Sequence, residues 1–452
     1  MSELKLWEHQ KLGLDWIMSK PHSALDYTMG SGKTLCAIMS IIARKDANKI
    51  LIVTPKSVIK TWRTEINTFV EPGVFNIVDF TEKKNLSTKV KAEKIKQIKM
   101  KLKTVIVVNY DIVWREPLIS VLAQWHADYI ILDESHRIKS PGSKVSLGLR
   151  TLGKNTKYKL CLSGTMIANS PLDIYAQFRF LDTKVFGTSF VNFRSRYFQM
   201  ISLNPPITGK PINTDELMGK FHKLALTCAQ KDLDIGLKGH LPDIVRTTRL
   251  DLKSQAAHDE LTKEFITTLE DGETLVVSNT LTKILRSLEM TSGYTKVEGQ
   301  MIHMNDVKIE LLKEVLEDLE PQPLVIFYQF KEDVKRIKTA IKGVKIFELS
   351  GRVNELADWK ATEDSENAII AVQMQSGNSG IDLVKARTSI YYSRNHSLSM
   401  YEQSRARTER PGQKYVCRFV HLIVENSIDE FGYKALKDKK NLLDLIKTGN
   451  YK

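Results

Sequence analysis

The chain has 452 residues, of which 42% are hydrophobic and 27% charged, with a formal net charge of +14. A chain of this length is too long to fold around a single hydrophobic core, so we expect two or three domains. No apolar run is long enough to span a bilayer, and we expect no signal peptide. Four scattered cysteines without a CxxC pair argue against a zinc site or disulfide framework and favour a reducing cytoplasm. The basic balance suits a polyanionic partner such as nucleic acid.

The first predicted element is a helix over residues 6–20, with Gln10 near its start. A glutamine amide both donates and accepts hydrogen bonds, so Gln10 is a candidate for holding the adenine edge of a nucleotide. The alternative is an ordinary helix start. The glycine-rich loop that follows at a short distance favours the nucleotide interpretation.

The segment Asp26–Thr34 ends in Gly-Lys-Thr, between a stretch that can form a strand and one that can open as a helix. This layout is typical of a phosphate-binding loop, whose glycines let backbone N–H groups turn towards phosphate oxygens. Lys33 can reach the β and γ phosphates, and the Thr34 hydroxyl can bind Mg²⁺. Tyr27 stands where the general motif has its first glycine, and a glycine turn that merely caps a helix is the alternative. The residues expected around the phosphates are Met29, Gly30, Ser31, Gly32, Lys33 and Thr34.

Two apolar runs, 50–53 and 104–108, read as strands buried on both faces of a parallel sheet. The first is followed by Thr54-Pro55-Lys56 and the second by Asn109. A helix is expected over 58–69. Residues 83–103 are rich in lysine and helical in pattern, and a solvated charged face is the better interpretation of them than a dedicated DNA site.

A further buried strand over 129–132 runs directly into Asp133 and Glu134. Side chains at the carboxyl end of a parallel strand lie in the crevice where such sheets bind ligands. Asp133 would hold Mg²⁺, directly or through water, and Glu134 would orient or deprotonate the attacking water. The alternative is a helix N-cap, where acidic residues face the positive end of a dipole. The next strand, 159–162, ends in Ser163-Gly164-Thr165, which could couple the state of the phosphates to domain position.

Residues 183–300 are the least informative, with helical patterns around 214–229 and 254–290 and a linker near 236–242. Alternation of strands and helices then resumes, with strands over 324–327, 368–372, 390–392 and 418–424, a helix over 331–341, and a closing helix over 428–447. We therefore expect an N-terminal α/β domain over 1–182, helical insertions and a linker over 183–305, and a second α/β domain over 306–452.

Near the end, Gln403–Gln413 contains Arg407 and Arg410, which are three positions apart. On one helix this spacing places both side chains on the same face. Two guanidinium groups on one face can neutralise charge on a transferring γ-phosphoryl group. Taken alone, the same segment could be a solvated basic helix.

Together these motifs resemble the Swi/Snf-like branch of the superfamily-two helicases and translocases, from about Leu6 to about Glu430. Asp133–Lys139 is similar to the acidic box of that branch, including its Arg-Ile-Lys extension. Gln403–Gln413 resembles the terminal arginine-finger motif, including its Gly-Gln ending. The segments 29–34, 54–56, 163–165 and 376–383 match further motifs in the family order.

The resemblance implies an α/β fold of two tandem RecA-like domains, parallel sheets flanked by helices, with a short insertion and a C-terminal helix. It implies that ATP with Mg²⁺ binds in the cleft, that duplex DNA is the partner, and that Lys33, Asp133, Glu134, Arg407 and Arg410 are catalytic. It also implies that Gly380 and Asp382 contact the nucleotide. The residues expected near nucleic acid are Thr54, Lys56, Asn109, Ser376 and Asn378.

Two departures from the family pattern stand out. Met166 occupies a position where the third motif commonly has proline, and the region between the two motif clusters is short. No histone-reading or zinc-finger module is recognisable, which favours a compact bacterial or viral DNA motor, expected to be monomeric and to act in the nucleoid or a host cytoplasm. An RNA helicase, the motor subunit of a restriction or repair complex, and a scaffold that has lost activity remain alternatives.

Overall fold

The computed structural model describes residues 6–81, 86–100, 102–167, 170–203, 206–228, 238–260, 277–297, 300–375, 381–394 and 397–438. The chain divides into two compact units, Met1–Ile235 and Gly236–Lys452. No helix in these described ranges is both long and apolar enough to cross a membrane.

The first unit is built on a seven-stranded parallel sheet with the strand order β3-β4-β2-β5-β6-β1-β9. Its strands are β1 His22–Tyr27, β2 Lys49–Thr54, β3 Phe75–Val78, β4 Lys103–Asn109, β5 Tyr129–Asp133, β6 Tyr158–Ser163 and β9 Ala225–Cys228. An antiparallel hairpin, β7 Phe198–Leu203 with β8 Pro206–Pro211, lies between β6 and β9 in the chain. Central strands such as β2 and β5 are apolar over 50–53 and 129–132 because helices cover both faces of the sheet.

The α-helices of this unit precede and follow nearly every strand. They are Glu8–Met18, Lys33–Ala43, Ile59–Phe69, Thr88–Lys96, Tyr110–Val113, Leu118–Trp125, Lys144–Leu152, Ile174–Leu181, Thr183–Phe186, Phe190–Tyr197 and Thr214–Phe221. Short 3-10 turns occur at Lys56–Val58, Ser135–Ile138, Gly153–Asn155 and Pro171–Asp173. The helices between 174 and 221 enclose an aromatic cluster that includes Phe178, Phe186, Phe193 and Tyr197.

The second unit contains a six-stranded parallel sheet with the order β10-β17-β16-β13-β15-β14. Its strands are β10 Ile244–Thr248, β13 Leu324–Tyr328, β14 Lys345–Leu349, β15 Ala368–Gln373, β16 Thr388–Tyr391 and β17 Arg418–Val424, and a hairpin joins β11 Tyr294–Val297 to β12 Gln300–His303. The helices include Val277–Thr291, Val307–Glu317, Lys331–Ala340, Leu356–Ala361, Leu398–Thr408 and Ile428–Lys437, and residues 252–260 are also helical. Two parallel sheets flanked by helices, one in each unit, confirm the predicted α/β fold.

Several local predictions need correction. The helical pattern over 214–229 ends at Phe221, and Ala225–Cys228 is instead an edge strand of the first sheet. The closing helix ends at Lys437, and 439–452 lie outside the described residues. The expected insertion 183–305 contains β9 and β10, which join different sheets. The three-part division of the chain itself stays a prediction.

Candidate nucleotide site

The loop after β1 has the backbone that its glycines allow. Gly30 and Gly32 both have positive φ, 78° and 81°, and Gly32 directly precedes the helix that starts at Lys33. A Cβ atom on Gly32 would lie 2.2 Å from Nε2 of Gln10. The loop therefore needs glycine here for its backbone angle and for the space that Gln10 occupies.

Lys33 crosses the loop that precedes it. Its ammonium donates to the carbonyl oxygens of Tyr27 at 2.7 Å and of Thr28 at 3.1 Å. These acceptors are backbone groups of the loop itself, so the charge sits at the strand-to-helix turn. A change of side-chain rotamer can bring it to a phosphate bound by the same loop.

Gln10 and His9 are buried against this loop. The Gln10 amide accepts from the Trp7 N–H at 3.0 Å and donates to the Ser31 carbonyl at 3.1 Å. Nε2 of His9 lies 2.8 Å from the same carbonyl, which can only accept, so His9 is the donor there. Gln10 therefore packs directly against the phosphate loop, and its contact with adenine stays a prediction. His9 was missed by sequence reasoning, because a lone histidine in a helix carries no signal.

Asp133 lies at the carboxyl end of β5 and is held by three residues from other elements. Its Oδ2 accepts from the Thr54 hydroxyl and from the Trp62 indole N–H, both at 2.9 Å, and its backbone oxygen accepts from the Tyr110 hydroxyl at 2.7 Å. Burial raises the pKa of Asp133 and the adjacent Glu134 raises it further, while these side-chain hydrogen bonds and the Lys33 charge act against the rise.

The N-cap alternative for the acidic pair is not what the structure contains. Glu134 has a positive φ of 55° and makes no capping hydrogen bond to the short turn that follows it. Its Oε2 lies 3.3 Å from Nδ1 of His136, which is also 3.2 Å from the Ser163 hydroxyl. Burial lowers the pKa of His136 to about 4, so the imidazole is neutral near pH 7. His136 thereby connects the acidic pair to the segment at the end of β6.

That segment also contacts the phosphate loop. A Cβ atom on Gly164 would lie 3.3 Å from the Met29 side chain and 3.5 Å from the Tyr27 carbonyl. The backbone N–H of Met166 donates to Oδ1 of Asp26 at 3.0 Å. Burial raises the pKa of Asp26, whereas this N–H and Lys33 lower it. A proline at position 166 has no N–H, so this contact depends on the departure from the family pattern.

The predicted nucleic-acid residues of the first unit differ in their surroundings. Thr54 is fully buried and bonded to Asp133, and Asn109 is buried and donates to Asp111 at 3.2 Å. Lys56 is exposed at the start of a 3-10 turn. Of the three, Lys56 alone presents its side chain to solvent, and the contact of these residues with nucleic acid stays a prediction.

The expectation that Arg407 and Arg410 share one helix face is wrong. The helix Leu398–Thr408 contains Arg407 but ends before Arg410, which precedes Pro411 and donates to the Ile381 carbonyl at 3.3 Å. A residue before proline is disfavoured in the helical conformation, which explains the early end. The spacing predicted both arginines on one helix, whereas the structure places Arg407 on the helix and Arg410 in the turn that follows it.

The remaining predictions for the second unit are Gly380 and Asp382 as nucleotide contacts and Ser376 and Asn378 as nucleic-acid contacts, all within the segment 376–383 of the sequence. Asp382 accepts from the Val384 N–H at 3.0 Å and pairs with Lys360 at 3.3 Å. Ser376, Asn378 and Gly380 lie outside the described residues.

Oxygen ligands for a hard cation are present in the first unit. Within the described residues, both side-chain hydrogen bonds to Asp133 end on Oδ2, which leaves Oδ1 for a cation. Thr34 adds a hydroxyl in the first turn of its helix. No group of three or more His, Cys, Asp or Glu side chains suited to a metal occurs in the described part of the chain. A cation would therefore bind through a few protein oxygens together with phosphate, as Mg²⁺ does in nucleotide sites.

The phosphate loop follows β1 and the acidic pair ends β5, two parallel strands on either side of β6, and this arrangement is typical of nucleotide-hydrolysing proteins. The SNF2-related domain matches residues 9–291, and the helicase conserved C-terminal domain matches residues 307–412. The chain belongs to the SNF2-related family. The predicted membership of the Swi/Snf-like branch and the prediction of an ATP-dependent helicase-class enzyme are thus confirmed.

Relatives of the chain include large eukaryotic proteins and compact ones. It is 24% identical to the chromatin structure-remodeling complex protein SYD of Arabidopsis thaliana, over 94% of this chain and 13% of the relative. It is 24% identical to protein p41 of Acyrthosiphon pisum secondary endosymbiont phage 1, over 97% of both. It is 23% identical to an uncharacterized ATP-dependent helicase of Mycoplasma pneumoniae, over 99% of this chain and 43% of the relative. The chain therefore spans less than half the length of two of these relatives and nearly all of the phage protein.

Among solved structures, the SWI2/SNF2 ATPase core of Sulfolobus solfataricus in complex with dsDNA is similar. The sequence identity is 21%, the match covers 99% of this chain and 94% of that one, and the TM-score is 0.45.

Proposed function

We propose that the chain hydrolyses ATP to move along, remodel or unwind DNA, with duplex DNA as the partner. The observation that carries this proposal is the cluster formed by the Lys33 loop, Asp133 and Glu134, with an arginine motif in the second unit. The net charge of +14 supports a polyanionic partner. Residues 183–305 would act as an accessory segment between the two motor domains.

Each residue has a role that its chemistry supports. The loop 29–34 binds the phosphates through backbone N–H groups, and Lys33 neutralises the β and γ phosphates. The Ser31 hydroxyl is buried and has no hydrogen-bond partner among the described residues, so it is a further donor for phosphate oxygen. Gln10 holds adenine, Gly380 and Asp382 complete the nucleotide contacts, and Lys56 contacts DNA together with Thr54, Asn109, Ser376 and Asn378.

Thr34 and Asp133 would hold Mg²⁺, which would supply positive charge to the phosphates. Hydrogen bonds from Thr54 and Trp62 to Oδ2 hold the Asp133 carboxylate in one orientation, which leaves Oδ1 available for the cation. Glu134 orients or deprotonates the attacking water, and Arg407 and Arg410 stabilise charge on the transferring phosphoryl group. The proposed location is the cytoplasm, at the nucleoid, or a host cytoplasm if the chain is viral, and the four buried cysteines suit a reducing compartment.

The test is steady-state ATP hydrolysis by the full chain with no nucleic acid, single-stranded DNA, duplex DNA or RNA, at one salt concentration. We expect the strongest stimulation by duplex DNA, and loss of turnover on chelation of divalent cations with recovery on adding Mg²⁺. Lys33→Ala, Glu134→Gln and Arg407→Ala should each lower turnover by about 100-fold or more.

The exposed residues Lys45, Glu71 and Arg249 serve as matched controls, because Lys45→Ala, Glu71→Gln and Arg249→Ala change the same side-chain types outside the site. Stimulation by RNA alone would move the assignment to an RNA helicase. Absence of turnover with every nucleic acid would leave a scaffold, or a motor subunit that needs its restriction or repair partner, and nucleotide binding would separate these two.

A further inference from the structure

Asp243 forms hydrogen bonds to the helix Leu398–Thr408. It lies in the segment that follows residue 238, where the described part of the second unit begins. Its Oδ1 and Oδ2 accept from Nη1 of Arg405 at 2.7 and 2.8 Å, and Oδ2 also accepts from the Tyr401 hydroxyl at 3.1 Å. Arg405 in turn donates to the Tyr401 hydroxyl at 2.9 Å. Two positions one helical turn apart are thus tied to a single carboxylate.

The carboxylate is itself anchored to the sheet by His421 of β17. Nε2 of His421 lies 3.2 Å from Oδ2 of Asp243, and Nδ1 lies 3.0 Å from Nη1 of Arg394. An arginine can only donate, so Nδ1 accepts and the imidazole is the neutral tautomer whose Nε2–H donates to Asp243. The Tyr391 ring stacks on this imidazole at 4.8 Å with an interplanar angle of 8°. These contacts fix the orientation of the His421 ring, and through it the position of the Asp243 carboxylate that holds the helix.

A second pair links the same entering segment to the end of the helix. Nδ1 of His240 lies 2.9 Å from Oε1 of Glu409, the residue that follows Thr408. The backbone supports this contact, because the Leu241 N–H donates to the Cys417 carbonyl and the Cys417 N–H donates to the Gly239 carbonyl, each at 2.9 Å. Both ends of the segment 240–243 thus hold one helix.

Arg405 and Arg407 are two positions apart, and successive helical residues are rotated by about 100°. The two side chains therefore leave the helix about 200° apart, in nearly opposite directions. The contact with Asp243 fixes the rotation of the helix about its axis from the side away from Arg407. We propose that Asp243 is a positioning residue that sets the direction of Arg407, an inference that rests on the proposed catalytic role of this arginine.

The experiment compares the full-length chain with Asp243→Asn, Arg405→Ala, the double variant, and Arg249→Ala. Arg249 is an exposed partner of Glu425 in the same part of the chain and serves as the matched control. We measure kcat and KM for ATP with saturating DNA, the affinity for a fluorescent ATP analogue, and amide hydrogen exchange of the helix 398–408.

Asp243→Asn should lower kcat about tenfold while KM and analogue affinity change less than about twofold, because the phosphate loop is in the first unit. Arg405→Ala should have the same effect, and the double variant should be no worse than either single one. Exchange should increase in 398–408 and stay unchanged in 33–43. Arg249→Ala should behave as the unsubstituted protein.

Unchanged kcat and unchanged exchange in Asp243→Asn would overturn the inference, as would additive losses in the double variant. If exchange increases throughout the second unit, Arg405→Lys decides the matter: it keeps the charge but loses the guanidinium geometry, and unchanged kcat would overturn the inference. If the unsubstituted protein fails to hydrolyse ATP, the proposed function fails. Local exchange in 398–408 then decides on its own whether Asp243 positions the helix.

Discussion

Met166 acts through its backbone. Its N–H satisfies Oδ1 of Asp26, a carboxylate whose pKa is raised by burial beside the phosphate loop. The side chain is also fully buried in the core of the first unit. Comparison with the family motif shows that Met166 replaces the common proline. The motif does not show that this replacement supplies a backbone N–H for Asp26.

Met166→Pro should therefore destabilise the first unit, although it restores the residue common in the family. Loss of the donor leaves a buried carboxylate oxygen unsatisfied, which costs about 1–3 kcal/mol. Urea unfolding followed by tryptophan fluorescence measures the change. Met166→Leu is the control, because it keeps the N–H and nearly the same volume and should cost less than about 1.5 kcal/mol. Equal stability of the two variants would show that the contact with Asp26 does not matter.

At the scale of elements, the central strands could be predicted and the edge strands could not. The runs 50–53 and 368–372 are continuously apolar because both faces are covered. Phe75–Val78 and Lys345–Leu349 lie at sheet edges and are only partly buried, so their sequences show no comparable run. The phosphate loop and acidic pair could be predicted because their chemistry is local. The partners of Asp133 come from three other elements, and no local pattern brings them together.

The strand β17 should make the second unit sensitive to acid. Burial is the main cause that lowers the pKa of His421 to about 4, so the native state binds fewer protons than the unfolded state below about pH 6.5. Stability is then lost as the pH falls from about 6.5 to about 4, by up to about 1.4 kcal/mol per pH unit from this group. The groups facing the imidazole are Asp243, Tyr391, Arg394, Tyr401 and Tyr433.

Urea midpoints at several pH values, compared between the unsubstituted protein and His421→Asn, measure this contribution. The variant should be less stable at pH 7 and should have a shallower dependence on pH. The pKa of Asp243 is held well below its usual range despite burial, by hydrogen bonds from His421 and Arg405, so its protonation acts only at lower pH. Parallel pH profiles for the two proteins would exclude His421 as the source.

For the whole molecule, the net charge of +14 bears on how DNA is bound. Phosphate contacts release counterions, so the affinity for duplex DNA should fall by roughly 10³-fold or more between about 50 and about 200 mM salt if six or more phosphates are neutralised. Fluorescence anisotropy of labelled DNA measures this, and Lys33→Ala should give the same slope, because Lys33 serves the nucleotide. A flat salt dependence would mean that the basic charge is spread over surfaces that DNA does not touch.

The four cysteines, Cys36, Cys161, Cys228 and Cys417, are all buried, and burial raises the pKa of Cys36, Cys161 and Cys417 to about 12. Maleimide dyes attack thiolates, so these native thiols should stay unlabelled in the folded chain. Val191 and Leu252, 61% and 92% exposed in the first and second units, are suitable positions for new cysteines. A donor and an acceptor dye can then be attached through Val191→Cys and Leu252→Cys, with every native cysteine kept in the core. Energy transfer between the two dyes would report the distance between the two units during ATP turnover.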